Sequence, residues 1–356
     1  MAVDKEGFNP DMLRLARDVR EITQAELADR TGLSQALISK MEHGLISEPG
    51  DDAIRLIANE LNFPPHFFFQ KDRAIGFPHF HFRKRAKLGA KPLAKIGAML
   101  NIKRQHIERL LRSFDAPVDK PIPQIDLGNT NLTPEKAAER MRAYWMMPRG
   151  PVRDIASIIE RAGGIVVNVS FGTALLDGVS FRADGLPPVF VMNKDMPGDR
   201  YRFSLAHELG HMVMHGVPDD DDKMENEAHQ FAAEFLMPRD EIKPYIISPK
   251  LNSLGRVKAF WKVSIKSLIK RAHDLELITP YQYKSLNIEY SRAFKGGEPI
   301  LFDVEKPTRL ESIAAFHRDN LGYSLTELAQ ILAAAPDEVQ AEYFGTNKGL
   351  RLVVSN

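Results

Sequence analysis

The run HELGH at positions 207–211 constrains the fold of this chain more than any other feature of the sequence. Residues four apart on an α-helix lie on one face, so His207 and His211 can bind the same metal ion. Glu208 is rotated by about 100° from the first histidine and can reach a water molecule beside the metal. The pattern predicts metal-assisted hydrolysis, in which zinc acidifies water and a carboxylate accepts the proton.

Short apolar runs and helix signals flank this motif. GGIVVNV at 163–169 and PPVFVMN at 187–193 predict β-strands, and the second strand would offer an edge to which an extended peptide adds. Asp199 can cap the helix and Gly216 can end it, while Gly210 lets another element approach closely behind the site. These signals predict a metal-bearing helix beside a small sheet.

A second segment, ENEAHQFAAEFLMP at 225–238, predicts an amphipathic helix that a proline ends. Catalytic zinc commonly takes three protein ligands and leaves a fourth position for water. The candidates for the third ligand are Glu225, Glu227, His229 and, beyond the motif, His215. Glu227 and Phe231 are four apart and share a face, which would place that carboxylate on a buried side. The alternative is a plain core-packing helix with exposed glutamates.

The segment TQAELADRTGLSQALISKMEHG at 23–44 predicts two helices joined by a turn. Thr23 and Glu26 form a capping box, and the Gly-containing turn is typical of a helix-turn-helix. The second helix begins after the cap Ser34. Its outer face would expose Gln35, Ala36, Ser39 and Lys40. Glutamine can pair with adenine and alanine can touch a thymine methyl group, while Gln24 lies within reach of a phosphate or of Gln35.

Charge is distributed unevenly along the chain, although the net charge is +1. Residues 1–70 hold seven Lys/Arg against twelve Asp/Glu, and residues 71–112 hold twelve against two. The basic stretch either contacts phosphate or docks on the acidic N-terminal domain of the same or a second subunit. A basic face for DNA within the first 70 residues would come from Arg17, Arg20, Arg30 and Lys40.

These patterns divide the chain into four regions. We assign 1–70 to the helix-turn-helix domain, 71–125 to a basic helical connector and Pro-rich linker, and 126–290 to the metal-binding domain. The remaining residues, 291–356, are mostly helical. Their run GYSLTELAQILAAAPDEVQ has the rhythm of a second helix-turn-helix but lacks a basic recognition face, so we expect a packing or dimerisation role.

The composition limits the protein classes that fit. With 356 residues the chain predicts two or three domains. It has no cysteine, which excludes disulfides and thiolate metal sites. No apolar run approaches the roughly 18 residues that span a bilayer. We therefore expect a cytoplasmic protein without a membrane partner.

The N-terminal segment resembles the lambda-repressor-like (XRE) family over roughly residues 8–65. This resemblance implies an all-α domain of five helices that binds a near-palindromic DNA operator as a homodimer. The runs RFSLAHELGHMVMH and ENEAHQFAAEFLMP, with LLDGVSFR upstream, resemble the ImmA/IrrE-type metallopeptidases over roughly residues 160–240. This second resemblance implies an α+β, thermolysin-like zinc peptidase domain in a mainly α, multidomain chain. It also implies His207, His211 and Glu227 as zinc ligands and Glu208 as general base.

These features support three hypotheses of function. In the first, a transcriptional regulator carries a zinc peptidase that cleaves the chain itself or a partner regulator after a stimulus. In the second, a DNA-binding repressor or antitoxin uses the metal site only for structure or sensing. In the third, the helix-turn-helix merely docks a protein substrate for the peptidase. Glu208 favours the first, because a structural site has no use for a general base. An unregulated protease would destroy its own repressor, so we expect a latent enzyme.

Overall fold

The structure, a computed structural model, describes residues 7–76, 88–114, 116–130, 132–216 and 220–345. The helices of these residues are α1 (Pro10–Val19), α2 (Gln24–Thr31), α3 (Gln35–Glu42), α4 (Asp51–Leu61), α5 (Ala90–Leu111), α6 (Leu127–Thr130), α7 (Pro134–Tyr144), α8 (Ile155–Arg161), α9 (Gly198–Met214), α10 (Asp221–Leu236), α11 (Arg239–Ile246), α12 (Leu251–Trp261), α13 (Ile265–Asp274), α14 (Pro280–Ala293), α15 (Arg309–Asp319), α16 (Leu325–Leu332) and α17 (Pro336–Tyr343). The strands are β1 (Ile165–Val169), β2 (Gly178–Phe181) and β3 (Val189–Asn193), and a 3₁₀ helix spans Pro65–Phe69. The protein is thus mainly helical, as the sequence predicted.

The chain forms two compact units. The first comprises the described residues of 1–78, 85–116 and 309–356, and the second comprises those of 117–308. The C-terminal helices α15, α16 and α17 therefore belong to the same compact unit as the N-terminal helices.

Local sequence signals set the start of the first unit. Thr23 and Glu26 form the expected capping box, with Glu26 N donating to Thr23 Oγ1 at 3.1 Å. Gly32 ends α2 with a φ of 72°, a left-handed conformation that glycine adopts at low cost. Ser34 then caps α3 by accepting from the backbone N–H of Leu37 at 3.2 Å. These caps place α3 directly after the turn.

Helix α5 and the C-terminal helices complete the first unit. Ile96, Leu100 and Ile107 of α5 are fully buried, at the helical spacing that the sequence showed. Arg109 of α5 donates to Leu332 O at 2.7 Å, which ties α16 to α5. The core of this unit is therefore assembled from segments separated by about half of the sequence.

The second unit contains a three-stranded sheet in the order β1-β3-β2. Strand β3 pairs with β1 in parallel and with β2 in antiparallel orientation. Both strand predictions are confirmed, but the expectation that the 187–193 run presents an edge is wrong, because β3 lies in the middle. Strand β2, which the sequence analysis did not assign, lies at the edge beside α9.

Helices α9 and α10 pack closely in the second unit. A Cβ atom on Gly210 of α9 would lie 3.1 Å from Phe231 Cδ1 and 3.3 Å from Ala228 Cα of α10. The close approach expected at Gly210 is therefore confirmed. Helix α9 begins after Pro197 and ends at Met214, so Asp199 lies in its first turn and is not the cap.

No helix among the residues described has both the length and the hydrophobicity needed to cross a membrane.

Candidate metal centre and nucleic-acid interface

Three side chains from α9 and α10 bring their metal-binding atoms together. The Nε2 atoms of His207 and His211 are 3.0 Å apart. Glu225 Oε1 lies 3.2 Å from the first nitrogen and 3.1 Å from the second. Two ligand nitrogens of a tetrahedral zinc site, each bonded at 2.0–2.1 Å, are about 3.3 Å apart. The three atoms are therefore spaced closely enough to share one ion.

These three residues form the metal-binding group found among the described residues. Both histidines are buried, with 5% and 8% of their surface exposed, while the Glu225 side chain keeps 24%. Neutral imidazole and carboxylate suit zinc and several other divalent ions. The donor set of two imidazoles and one carboxylate fits such a metal ion.

Glu227 lies elsewhere, although the sequence analysis placed it beside the two histidines. Its Oε2 is 3.0 Å from Nε2 of His215. Two residues that are two positions apart project about 200° apart around a helix, so Glu225 and Glu227 flank the contact stripe of Ala228 and Phe231 on opposite sides. The structure thus brings Glu225, the other glutamate considered, to His207 and His211.

Glu208 is not part of this metal-binding group and contacts strand β2. Ser180 Oγ donates to Glu208 Oε2 at 2.7 Å, and both residues are buried. A Cβ on Gly178 would lie 2.5 Å from Met192 Sδ, so the glycine leaves room for this side chain of β3. Ser180 is a residue that the sequence analysis missed. The signal was present in the run LLDGVSFR, where Gly178 and Ser180 are two apart and share one face of a strand.

A cleft of about 660 Å³ opens at His207 and is also lined by Glu208 and His229. Lys258 lies in its wall, fully buried, and donates to Asp199 at 2.5 Å and to Glu298 at 2.9 Å. Burial opposes the charge of Lys258, but hydrogen bonds to the two carboxylates outweigh it and raise its pKa. This ion-pair network fixes the first turn of α9. The same helix carries His207 and His211 further along.

The exposed surface of α3 holds the residues predicted to contact DNA. Ser34, Gln35, Ala36 and Lys40 are exposed and Ser39 is partly exposed. Gln35 Nε2 donates to Gln24 Oε1 at 3.0 Å. Of the two partners predicted for Gln24, a phosphate or Gln35, the structure shows Gln35. Their contact orders the glutamine at the start of α3.

Residues behind α3 extend this contact into the interior of the first unit. Gln24 Nε2 donates to Glu42 Oε2 at 2.7 Å, and Glu42 accepts from Arg17 Nε at 2.6 Å. Glu42 was not singled out from the sequence, because its partner Arg17 is 25 positions away. Three arginines expected on the DNA face have other partners: Arg17 binds Glu42, Arg20 binds Glu338, and Arg30 binds Glu60.

Several basic residues of this stretch pair with acidic groups within the first unit. Lys95 binds Glu21 at 2.8 Å and Arg109 binds Asp72 at 2.5 Å. These contacts favour docking on acidic groups of the same subunit over phosphate binding for these residues. The four basic residues between 83 and 87 lie outside the described residues.

Two family models match the chain in these regions. Residues 159–273 match a peptidase family whose description is IrrE N-terminal-like domain. Residues 13–68 match the Helix-turn-helix family. The chain joins a helix-turn-helix domain to an IrrE-like domain. No curated protein sequence matches the chain.

The two matches coincide with the two candidate sites. The IrrE-like domain includes the whole sheet, α9 and α10, and therefore all three residues of the metal-binding group. The helix-turn-helix domain includes α2 and α3 with their glutamine contact. Both resemblances stated from the sequence are confirmed.

Proposed function

We propose that this protein is a DNA-binding transcriptional regulator whose IrrE-like domain is a metal-dependent peptidase acting on a regulator protein, either itself or a partner. The observation that carries the proposal is the convergence of His207 Nε2, His211 Nε2 and Glu225 Oε1, with Glu208 held separately by Ser180. The metal ligands and the proposed general base are therefore different residues, as metal-assisted hydrolysis requires.

In this proposal His207, His211 and Glu225 hold the metal, and Glu225 takes the place first given to Glu227. When bound, zinc would polarise the substrate carbonyl and lower the pKa of water. A structural zinc site is usually closed by four protein ligands, whereas the group found among the described residues has three. The three-ligand group favours a catalytic site over a structural or sensory one.

Glu208 would accept the proton of the attacking water and pass it to the amine leaving group. The hydrogen bond from Ser180 holds the carboxylate in one orientation, which reduces the reorganisation needed during proton transfer. Burial keeps competing bulk water away from this carboxylate. These residues thus supply the acid–base part of the reaction.

The substrate would be an extended peptide segment. Strand β2 has β3 on one side in the described sheet, and its residue Ser180 contacts Glu208. A peptide added along the other side of β2 would gain main-chain hydrogen bonds and would run beside the general base. The sheet edge expected for substrate is therefore moved from β3 to β2.

The helix-turn-helix domain would place α3 in the major groove of double-stranded operator DNA. Gln35 and Ala36 would contact base edges, while Ser34, Ser39, Lys40 and Gln24 would contact the backbone or orient these side chains. We expect a homodimer on a near-palindromic operator, in the cytoplasm. Cleavage of a regulator by the IrrE-like domain would then change transcription in response to a stimulus.

Glu208→Gln tests the peptidase. The full-length chain and this variant are loaded with one equivalent of zinc and incubated with a library of internally quenched peptides. In parallel, intact mass is followed with and without operator DNA to detect self-cleavage. We expect wild-type cleavage and a loss of at least 100-fold in the variant at unchanged zinc content. Undiminished cleavage by the variant would remove Glu208 from the mechanism, and zinc loss in the variant would show that its role is not separate from metal binding.

A further inference from the structure

A row of three side chains leads away from the metal-binding group on the side opposite Glu225. His211 Nδ1 lies 2.9 Å from His215 Nδ1, and His215 Nε2 lies 3.0 Å from Glu227 Oε2. The three side chains are 10%, 7% and 19% exposed. Both contacts are therefore short and largely sheltered from water.

The donor and acceptor of each contact follow from the role of His211. A neutral imidazole that gives Nε2 to a metal must carry its hydrogen on Nδ1. His211 Nδ1 therefore donates to His215 Nδ1. A neutral His215 that accepts at Nδ1 carries its own hydrogen on Nε2, which donates to the carboxylate of Glu227. Because Nε2 of His211 is reserved for the metal, this is the assignment of two neutral rings that gives both of these contacts a donor and an acceptor.

Local backbone geometry explains how His215 reaches His211. Positions 211 and 215 are four apart, so their rings are neighbours at the end of α9. Helix α9 ends at Met214, and His215 has φ −111° and ψ 73°, outside the helical region. Its N–H still donates to His211 O at 2.9 Å, which keeps the ring close. The end of the helix thus turns His215 toward Glu227 of α10.

The other histidine ligand lacks this support. His207 Nδ1 is buried and has no hydrogen-bond partner among the residues that the structure describes. Its ring is instead packed against His211 and His229, with ring centres 4.7 and 4.5 Å away. Packing restrains His207, whereas hydrogen bonds orient His211.

We propose that His215 and Glu227 are positioning residues that orient the His211 ring so that its Nε2 is directed at the metal. This inference rests on the proposed metal site. Outer partners of a ligating histidine fix its tautomer and raise its basicity, and their loss typically weakens metal binding 10–100-fold. Glu227 contacts His215, which in turn contacts His211, so we expect the two residues to act as one unit.

Zinc affinity of the full-length chain tests this role, measured by competition with a chromogenic chelator. We expect His215→Phe to weaken zinc binding by about 10–100-fold and Glu227→Gln by a smaller factor. His215→Asn retains an acceptor near the Nδ1 position and should recover part of the affinity. The double variant His215→Phe with Glu227→Gln should bind zinc as weakly as His215→Phe alone. Asn226→Ala, exposed on the same helix between the two glutamates, is the matched control and should not change the affinity.

The outcomes separate this inference from the proposed function. If the wild type binds no zinc, the metal site and this inference both fail. If the wild type binds zinc and His215→Phe binds it equally well, only the positioning role is overturned. If Glu227→Ala loses zinc as completely as Glu225→Ala, Glu227 is a ligand and not a positioning residue. Additive losses in the double variant would show that the two residues act independently. Should His215→Phe fail to fold, Glu227→Gln and His215→Asn provide the same comparison.

Discussion

Replacing Lys258 by methionine should destabilise the second unit strongly. The lysine is fully buried between Asp199 and Glu298, and methionine keeps the length of its apolar stem without the charge. Removing one partner of a buried ion pair typically costs about 3–5 kcal/mol, because a charge is left uncompensated. Glu298 would keep its bonds from the backbone N–H groups of Ile265 and Lys266. We therefore expect the lower end of that range, about 3 kcal/mol.

Tryptophan fluorescence during urea unfolding measures this effect selectively. The chain has two tryptophans, Trp145 and Trp261, and both lie in the second unit. With a denaturant slope of about 2 kcal/mol per molar urea, the midpoint should fall by about 1.5 M. Lys243→Met, at an exposed position of α11, should change the stability by less than about 0.5 kcal/mol. A loss below about 1 kcal/mol for Lys258→Met would refute the reasoning that the two carboxylates depend on this cation.

Three further predictions concern the pH dependence, the general base and the DNA interface. Burial lowers the pKa of His106 from 6.5 to about 3 in the folded chain. As the pH falls, His106 therefore binds a proton in the unfolded chain at a higher pH than in the folded chain. The first unit should lose about 1.4 kcal/mol per pH unit below pH 6.5. Amide hydrogen exchange in α5 measures this loss, and an equal slope in His106→Gln would contradict it. Ser180→Ala should reduce peptide cleavage by about 10-fold at constant zinc content. A normal rate would show that Glu208 does not need this hydrogen bond. Gln35→Ala should weaken operator discrimination by about 1–3 kcal/mol in a DNA titration. An equal loss on random DNA would exclude base reading.

Local features of the fold were predictable from the sequence because they depend on neighbouring residues. The capping box of Thr23 and Glu26, the turn at Gly32 and the cap at Ser34 follow from side chains within a few positions of the backbone groups that they satisfy. The stacking of His207 and His211 follows from the helical repeat. The close approach at Gly210 follows from its missing side chain.

Features that depend on tertiary packing were not predictable in the same way. The central position of β3 depends on pairing with two strands that the local pattern does not order. The C-terminal helices join the first unit across an intervening unit of about 190 residues, which no local signal encodes.

The choice between Glu225 and Glu227 also lay beyond local reasoning. The two differ by two positions, and the rotation of α10 about its axis decides which one faces the histidine pair. Packing of Ala228 and Phe231 on Gly210 fixes that rotation. The sequence pattern of Glu227 and Phe231 correctly suggested a partly buried carboxylate, but its partner is His215.

Anomalous X-ray diffraction at the zinc absorption edge, on crystals of the full-length chain grown with one equivalent of zinc, tests the central claim most directly. We predict one anomalous peak within about 2.0–2.2 Å of His207 Nε2, His211 Nε2 and a Glu225 oxygen, with Glu208 and Glu227 outside bonding distance. Absence of a peak at this position, or a peak bonded to Glu227 in place of Glu225, would contradict the account.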